Sequence, residues 1–308
     1  MPELPDVAVY VERIAERVVS RRLLRARFAS PFVLRTVTPS PKDLEGLAVE
    51  RVFRMGKRIV LGFPGELFLV VHLMIAGRFR WADEPGAKVP GKIGLAAFDF
   101  ESGTLLLTEA SSKKRASVHV VRGSLADFER GGLEVDRSTR TAFVAAMTRT
   151  RHTLKRALTD PTVLSGVGNA YSDEILHAAR LSPFRMTDKL APDEWKRLHD
   201  ATKSVLREWT EVFRKIPGFP EKVTAFREGM AVHGRYGKPC PVCGSPVQRI
   251  VYAANECNYC AVCQTGGKLL MDRSLSRLLK DDWPRTLEEL EERRAEQKAR
   301  APSPPPRS

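Results

Sequence analysis

Residues 231–268 read AVHGRYGKPCPVCGSPVQRIVYAANECNYCAVCQTGGK and carry all five cysteines of the chain. Cys240 and Cys243 form one Cys-x-x-Cys pair and Cys260 and Cys263 a second, with sixteen residues between them. Each pair makes a tight knuckle, and four thiolates complete a tetrahedral zinc shell. Gly244 follows the first pair, where a knuckle turn favours glycine. With all four ligands supplied by protein, no coordination position is left for water, so a single zinc here is expected to be structural. The segment is too poor in apolar residues to fold unaided, and metal binding would supply the missing stability. Cys257 is left over and reads as a free thiol.

Upstream of the cysteines the pattern is helical. Segments 138–149, 151–159, 169–180 and 191–214 place apolar residues at three- and four-residue spacing, and the turn Ser165-Gly166-Val167-Gly168 separates two of them. Further back, from about 23 to 122, the runs shorten and become β-like: RIVLGF, LFLVVHLMI, GLAAFDF, TLLLTEA and ASVHVV, divided by Pro, Gly and charged turns. Several short strands at such spacing suggest a sandwich or barrel. Residues 7–19 read as an amphipathic helix, with Val7, Val11, Ile14 and Val18 on one face. Downstream, 269–281 reads as a short helix, followed by the charged LEELEERRAEQKAR and a tail of disorder-prone composition. No internal repeat is present.

Lysine and arginine number 51 against 37 acids, for a net charge of +14. Such an excess suits a polyanion, because each phosphate contact releases condensed counterions. No run approaches 18 consecutive apolar residues, so no membrane helix is expected. The opening residues lack the apolar core of a secretory signal, and in a cytosolic context two Cys-x-x-Cys pairs suggest metal rather than disulfides. The expected location is the cytoplasm, with the nucleoid, and the expected form a monomer. The six histidines are scattered, and neither His-x-His nor clustered carboxylates mark a metal-dependent nuclease.

The chain opens Met1-Pro2-Glu3-Leu4-Pro5. Removal of Met1 before the small Pro2 would expose a secondary amine as the N-terminus. An α-amino group titrates near about 7.7–8.0, so a useful fraction is neutral at pH 7. Such an amine can attack the anomeric carbon of a deoxynucleotide and form a Schiff base. Glu3, beside it, could protonate the sugar ring or shuttle protons.

Four motifs in order now resemble one family: PELP at the start, GKRIVL with Lys57 in a strand, GVGNAYSDEIL with Asn169 after a helix turn, and the four-cysteine unit preceded by VHGRYGKPCPVCG. Together they resemble the formamidopyrimidine-DNA glycosylase/endonuclease VIII family, from Pro2 to about Cys263. The resemblance implies an α+β multidomain fold. An N-terminal catalytic β-sandwich with flanking helices would span 1–136. A helix–two-turn–helix domain would span 137–230 and a four-cysteine zinc-finger hairpin 231–268, with a helical extension and disordered tail at 269–308. It implies a repair glycosylase with associated lyase activity on damaged double-stranded DNA, acting on flipped bases. Pro2 matches the nucleophile, Glu3 the general acid, Lys57 the basic residue beside the lesion phosphate, and Asn169 the phosphate clamp. A Gly-rich turn at Gly166 and Gly168 opening a helix suits phosphate as well. Lys155 and Asp160 also fall where family members carry like residues.

The chain departs from the family pattern in several places. Asp6 stands where the family usually has Glu, and Ile75 replaces a void-filling Met. The intercalating Arg-Arg-Phe loop becomes Ser111-Ser112-Lys113-Lys114-Arg115-Ala116, in which Lys113, Lys114 and Arg115 could grip phosphates instead. Asn255 replaces the finger arginine, and the lesion-capping loop between 210 and 231 is short. One reading is an active enzyme with a more open pocket that acts on oxidised or ring-opened purines. The other is a non-catalytic zinc-finger paralogue that binds damaged DNA. Retention of Pro2, Glu3, Lys57 and Asn169 favours the first. A zinc-dependent nucleic-acid-binding regulator would explain the charge and the cysteines but not the N-terminal PELP.

Overall fold

The computed structural model describes residues 1–220, 227–252, 255–271 and 284–300. Part of the short capping loop and most of the helix expected over 269–281 therefore lie outside the described residues, as does the tail.

Helix α1 spans Leu4–Val18, three residues earlier than the apolar periodicity alone indicates. Pro5 can occupy its first turn because the N–H it lacks has no intrahelical partner there, and the Asp6 carboxylate accepts the Glu3 N–H at 2.9 Å. Val7, Tyr10, Ile14 and Val18 are fully buried along one face. Burial of each such side chain stabilises the fold by about 1.5–3 kcal/mol.

Eight strands follow: β1 Leu23–Phe28, β2 Arg51–Met55, β3 Arg58–Phe63, β4 Leu67–His72, β5 Gly77–Ala82, β6 Gly94–Phe100, β7 Gly103–Glu109 and β8 Ser117–Arg122. They form two four-stranded sheets, ordered β1-β6-β7-β5 and β2-β3-β4-β8, and every pairing is antiparallel. The main core lies between the sheets and α1 and draws on alternate residues such as Ile59, Leu61, Leu69, Val71, Phe98, Leu105 and Leu107. Alternation places Val60, Phe68 and Val70 on the opposite face, where Phe128 and Leu125 cover them in a smaller cluster.

The helical region holds α2 Arg140–Thr148, α3 Leu154–Thr159, α4 Asn169–Ala178 and α5 Pro192–Arg214. Its starts are chemically marked. Thr139 and Thr153 accept N–H bonds as N-caps, and Glu194 accepts the Ala191 N–H at 2.8 Å to open α5. These helices share a second core around Phe143, Leu158, Tyr171, Ile175, Leu198 and Leu206, and Leu4 belongs to it as well. The chain's first helical residue thus sits in the core of a segment made more than a hundred residues later.

The last unit is the hairpin β9 Gln248–Tyr252 and β10 Asn255–Tyr259, followed by α6 Ala261–Thr265 and α7 Leu287–Arg300. Its apolar content is small: Val232 and Val247 pack with Cys240, Cys260 and Cys263. Leu269, Leu270 and Leu287 pack on Ile250 and Tyr259, which attaches the C-terminal extension to the hairpin.

Candidate active site and metal centre

Three distant segments meet at the N-terminus. The Leu4 N–H donates to the Gly166 carbonyl at 2.9 Å. Gly166 has φ +83, and a Cβ there would come within 2.8 Å of the Leu4 Cβ, so the turn needs glycine both for its backbone and for the close approach. Gly56 and Lys57 form the two-residue turn of the β2–β3 hairpin, since Met55 pairs with Arg58. Lys57 therefore lies in a turn and not in a strand. Gly56 takes φ +59, and that left-handed residue reverses the chain and projects Lys57 toward the N-terminus.

Glu3 is buried at 3% exposure. Its carboxylate accepts the backbone N–H groups of Gly168 at 2.6 Å, Ala170 at 2.9 Å and Tyr171 at 3.3 Å. These donors belong to the first turn of α4, whose positive dipole end suits an anion. A Cβ built on Gly168 would lie 2.5 Å from the Glu3 Cδ and 2.6 Å from the Lys57 Nζ. The acid and the lysine thus converge on the same bare backbone position. Burial lowers the Lys57 pKa, while Glu3 and Asp6 pull it back up.

Met1 precedes Pro2 in this chain and lines a cavity of about 490 Å³ with Lys57, Arg58, His72, Arg130 and Gly166. Burial holds the Met1 α-amine below its usual value against the opposing pull of Glu3. After processing, the amine on Pro2 would occupy the same neighbourhood. Asp6 also pairs with Arg227, whose guanidinium stacks 4.1 Å from the Phe213 ring centroid.

His72 belongs to none of the four motifs, yet register makes it a neighbour of the site. It stands opposite Arg58 on β3, the strand that begins at the Lys57 turn. Burial pushes its imidazole down to about 4, and Arg58, Lys57, Arg130 and His119 act in the same direction. The only signal in the sequence was its position at the end of a β-run two strands from the basic turn.

Asn169 begins α4, and its amide donates to the Glu256 carbonyl on β10 at 2.8 Å. The side chain of Asn255 lies outside the described residues. Lys113, Lys114 and Arg115 are exposed. Lys114 turns back to donate to the Glu109 carbonyl, and the Arg115 N–H donates to the Glu109 carboxylate at 2.8 Å. Ile75 is 58% exposed and follows Met74, which has φ 53. Lys155 is buried and donates to Asp173 at 2.6 Å, Ser172 at 2.7 Å and the Asn169 carbonyl at 2.8 Å. Asp160 accepts from the Thr162 N–H at 2.8 Å, a local turn contact.

Helix α4 also holds the hairpin unit. Glu174 accepts the N–H groups of Ala231, Val232 and His233 at 2.7 to 2.9 Å. Asp173 meets His233 Nδ1 at 2.7 Å and accepts the Asn258 N–H at 3.1 Å. The thiol sulfurs of Cys240, Cys243, Cys260 and Cys263 lie within 4.8 Å of one another. Two of the separations are 3.3 Å, Cys243 to Cys260, and 3.9 Å, Cys240 to Cys263. A tetrahedral site with metal–sulfur bonds of about 2.3 Å needs sulfurs about 3.8 Å apart, so the cluster can hold a metal ion with little movement. Cys257 is buried and not in a disulfide.

The model of the formamidopyrimidine-DNA glycosylase N-terminal domain matches residues 1–114, and that of the H2TH domain of the same glycosylase matches 132–216. The formamidopyrimidine-DNA glycosylase of Thermus thermophilus is 32% identical over 281 residues, covering 87% of this chain and all of that protein. The chain belongs to the formamidopyrimidine-DNA glycosylase family. An uncharacterized formamidopyrimidine-DNA glycosylase-like protein of Mycobacterium tuberculosis is 47% identical over 129 residues, 41% of this chain and 80% of that one. Among solved structures, the Thermus thermophilus MutM (Fpg) protein superposes with a TM-score of 0.72 at 30% identity, covering 85% of this glycosylase and 98% of its own chain. The Lactococcus lactis Fpg in complex with DNA containing an abasic site gives 0.76 at 23% identity, covering 85% and 99% of the two chains. Among the described residues, no helix of this family member is long and apolar enough to cross a membrane.

Proposed function

We propose that this chain is a DNA repair glycosylase that excises damaged bases from duplex DNA and then nicks the strand at the abasic site. The observation that carries the reading is the convergence of Glu3 and Lys57 on Gly168, with Lys57 and the N-terminal Met1 lining one cavity. In the processed chain the neutral Pro2 amine attacks C1′ of the flipped nucleotide, and the base leaves with the glycosidic electron pair and takes a proton from water. The Glu3 carboxylate takes the proton that the Pro2 nitrogen loses and passes it to the ring oxygen as the sugar opens, leaving an iminium between Pro2 and C1′. Loss of the C2′ proton then expels the 3′ phosphate, and water releases the sugar from Pro2.

Lys57 and the Asn169 amide hold the phosphates beside the lesion, since the backbone N–H of Gly168 already serves Glu3, and the +14 net charge supports the wider contact with the duplex. Zinc is the metal that four thiolates select; bound by Cys240, Cys243, Cys260 and Cys263, it would fix the hairpin fold. The protein acts as a monomer on DNA in the cytoplasm.

Borohydride reduction tests this function. Processed protein should become covalently linked to an oligonucleotide with an oxidised purine or abasic site, and Pro2→Gly or a retained Met1 should abolish the link. A Met1-retaining protein that nicks at the wild-type rate would remove Pro2 as nucleophile. Lesion preference follows from the loop 111–116, which offers exposed cations and no aromatic wedge. Less energy is then available to unstack a base, so abasic, ring-opened and already unstacked lesions should be processed faster than 8-oxoguanine opposite cytosine. Single-turnover rates on matched duplexes decide it.

A further inference from the structure

We infer that His177 is a positioning residue of the metal centre, its Nε2–H donating to the Cys240 thiolate so that helix α4 orients the first knuckle. The inference rests on the metal reading of the four cysteines. It arises from one contact that neither the motifs nor the proposed chemistry uses. His177 Nε2 lies 3.3 Å from Cys240 Sγ, and the two residues are 6% and 3% exposed.

The proton's place follows from chemistry. A metal-bound thiolate has no hydrogen to give, so the imidazole must be the donor and Nε2 must carry the proton. Nε2 is the ring nitrogen that faces the sulfur, so the geometry assigns the proton to it. That N–H offsets part of the charge on a sulfur removed from water, where an unsatisfied anion is costly. It also fixes Cys240 in direction, as partners behind a ligand do in metal sites generally.

Placement on α4 gives the contact its reach. Asp173, Glu174 and His177 fall on one helix face at three- and four-residue spacing, and all three contact the 231–260 segment. His177 lies eight positions after Asn169, about 12 Å along the axis at 1.5 Å per residue. The N-terminal turn of the same helix holds the Glu3 carboxylate. One rigid element therefore joins the catalytic acid at one end to the metal cluster at the other.

The test uses zinc-loaded full-length protein and a chromogenic chelator. His177→Phe keeps the ring's bulk and loses the donor, and should release zinc about 10–100-fold faster than wild type. His177→Gln carries an amide donor at similar reach and should restore slow release. Release from His177→Phe at the wild-type rate, or from His177→Gln as fast as from His177→Phe, would overturn the inference. Imidazole 15N spectra of the wild-type zinc protein give a second readout that needs no folded His177→Phe. The Nε2–H tautomer is expected at His177, and an Nδ1–H tautomer would overturn the inference. Metal analysis that finds no zinc in the wild-type protein would remove the metal reading itself, an outcome distinct from either of these.

Discussion

The Glu3 carboxylate and the Gly168 backbone N–H are 2.6 Å apart, and no side chain could stand between them. Gly168 has φ −136, a value open to any residue, so glycine is needed here for space alone. Gly168→Ala should displace Glu3 and Lys57 together, because a methyl would meet the carboxyl carbon at 2.5 Å and the ammonium nitrogen at 2.6 Å. Base excision should drop by two orders of magnitude or more, by analogy with the roughly 10²-fold cost of a 1 Å misplacement. Circular dichroism should stay near wild type. Single-turnover excision with an unchanged rate would show that the two groups have room to move aside.

Glu3→Gln keeps the shape but replaces a charged acceptor with a neutral one. Three N–H donors now share a carboxylate, and the amide offers them a single oxygen while its NH₂ faces donors. Loss of charge-assisted bonds to a buried group costs about 1.5–3 kcal/mol. A lower urea midpoint is therefore expected alongside lost excision, and titration with lesion DNA should show binding retained.

His72 gives a pH dependence with a definite sign. Its folded pKa is about 4 against 6.5 for the free side chain. Below 6.5 the unfolded chain takes up a proton that the native state refuses, so this stability is complete above pH 6.5 and is lost as pH falls toward 4. His72→Asn should flatten that part of the stability curve, measured by urea unfolding at pH 7, 6 and 5. DNA phosphate beside His72 would raise its pKa. Binding at pH 5.5 should then be accompanied by proton uptake, read as a buffer-dependent calorimetric heat, and the uptake should vanish in His72→Asn.

Lys155 and Asp173 form a buried ion pair at 2.6 Å with side chains 7% and 0% exposed. Removing one partner from such a pair typically costs about 3–5 kcal/mol. Lys155→Met should fall at the lower end, since Asp173 keeps the Asn258 N–H and His233. A urea midpoint equal to wild type would show the pair to be energetically neutral.

Cys240→Ala should lose zinc and most duplex affinity together, because the hairpin has only a few apolar residues of its own. Trapping at saturating DNA should survive better than binding. Metal analysis and a fluorescence binding titration on the same preparation check both halves.

What the sequence shows and what it hides divide by distance along the chain. The β-runs, the helical segments and the paired cysteines were legible because period and spacing are local properties. Pro2, Glu3 and Asn169 were singled out by position in motifs. The β-like run after Lys57 points to a strand, whereas the preceding glycine, at φ +59, makes the position a turn. The contacts that build the site were not legible. Glu3 to Gly168, Asp6 to Arg227 and His177 to Cys240 join residues 165, 221 and 63 positions apart, and no local pattern encodes such pairings. His72 was hidden for the same reason: only strand register puts it opposite Arg58.

The closure of residues 3 and 4 by residues 166 to 171 has a consequence for synthesis. When the ribosome has made both sheets, through Arg122, none of the donors to Glu3 yet exists, nor does the carbonyl that receives the Leu4 N–H. The nascent sandwich must keep that carboxylate hydrated and its opening turn unseated until α4 emerges. Residues 3 and 4 are thus translated long before the turn and helix that seat them. A fragment ending before residue 166 should be inert, and supplying the remainder as a separate chain should restore it.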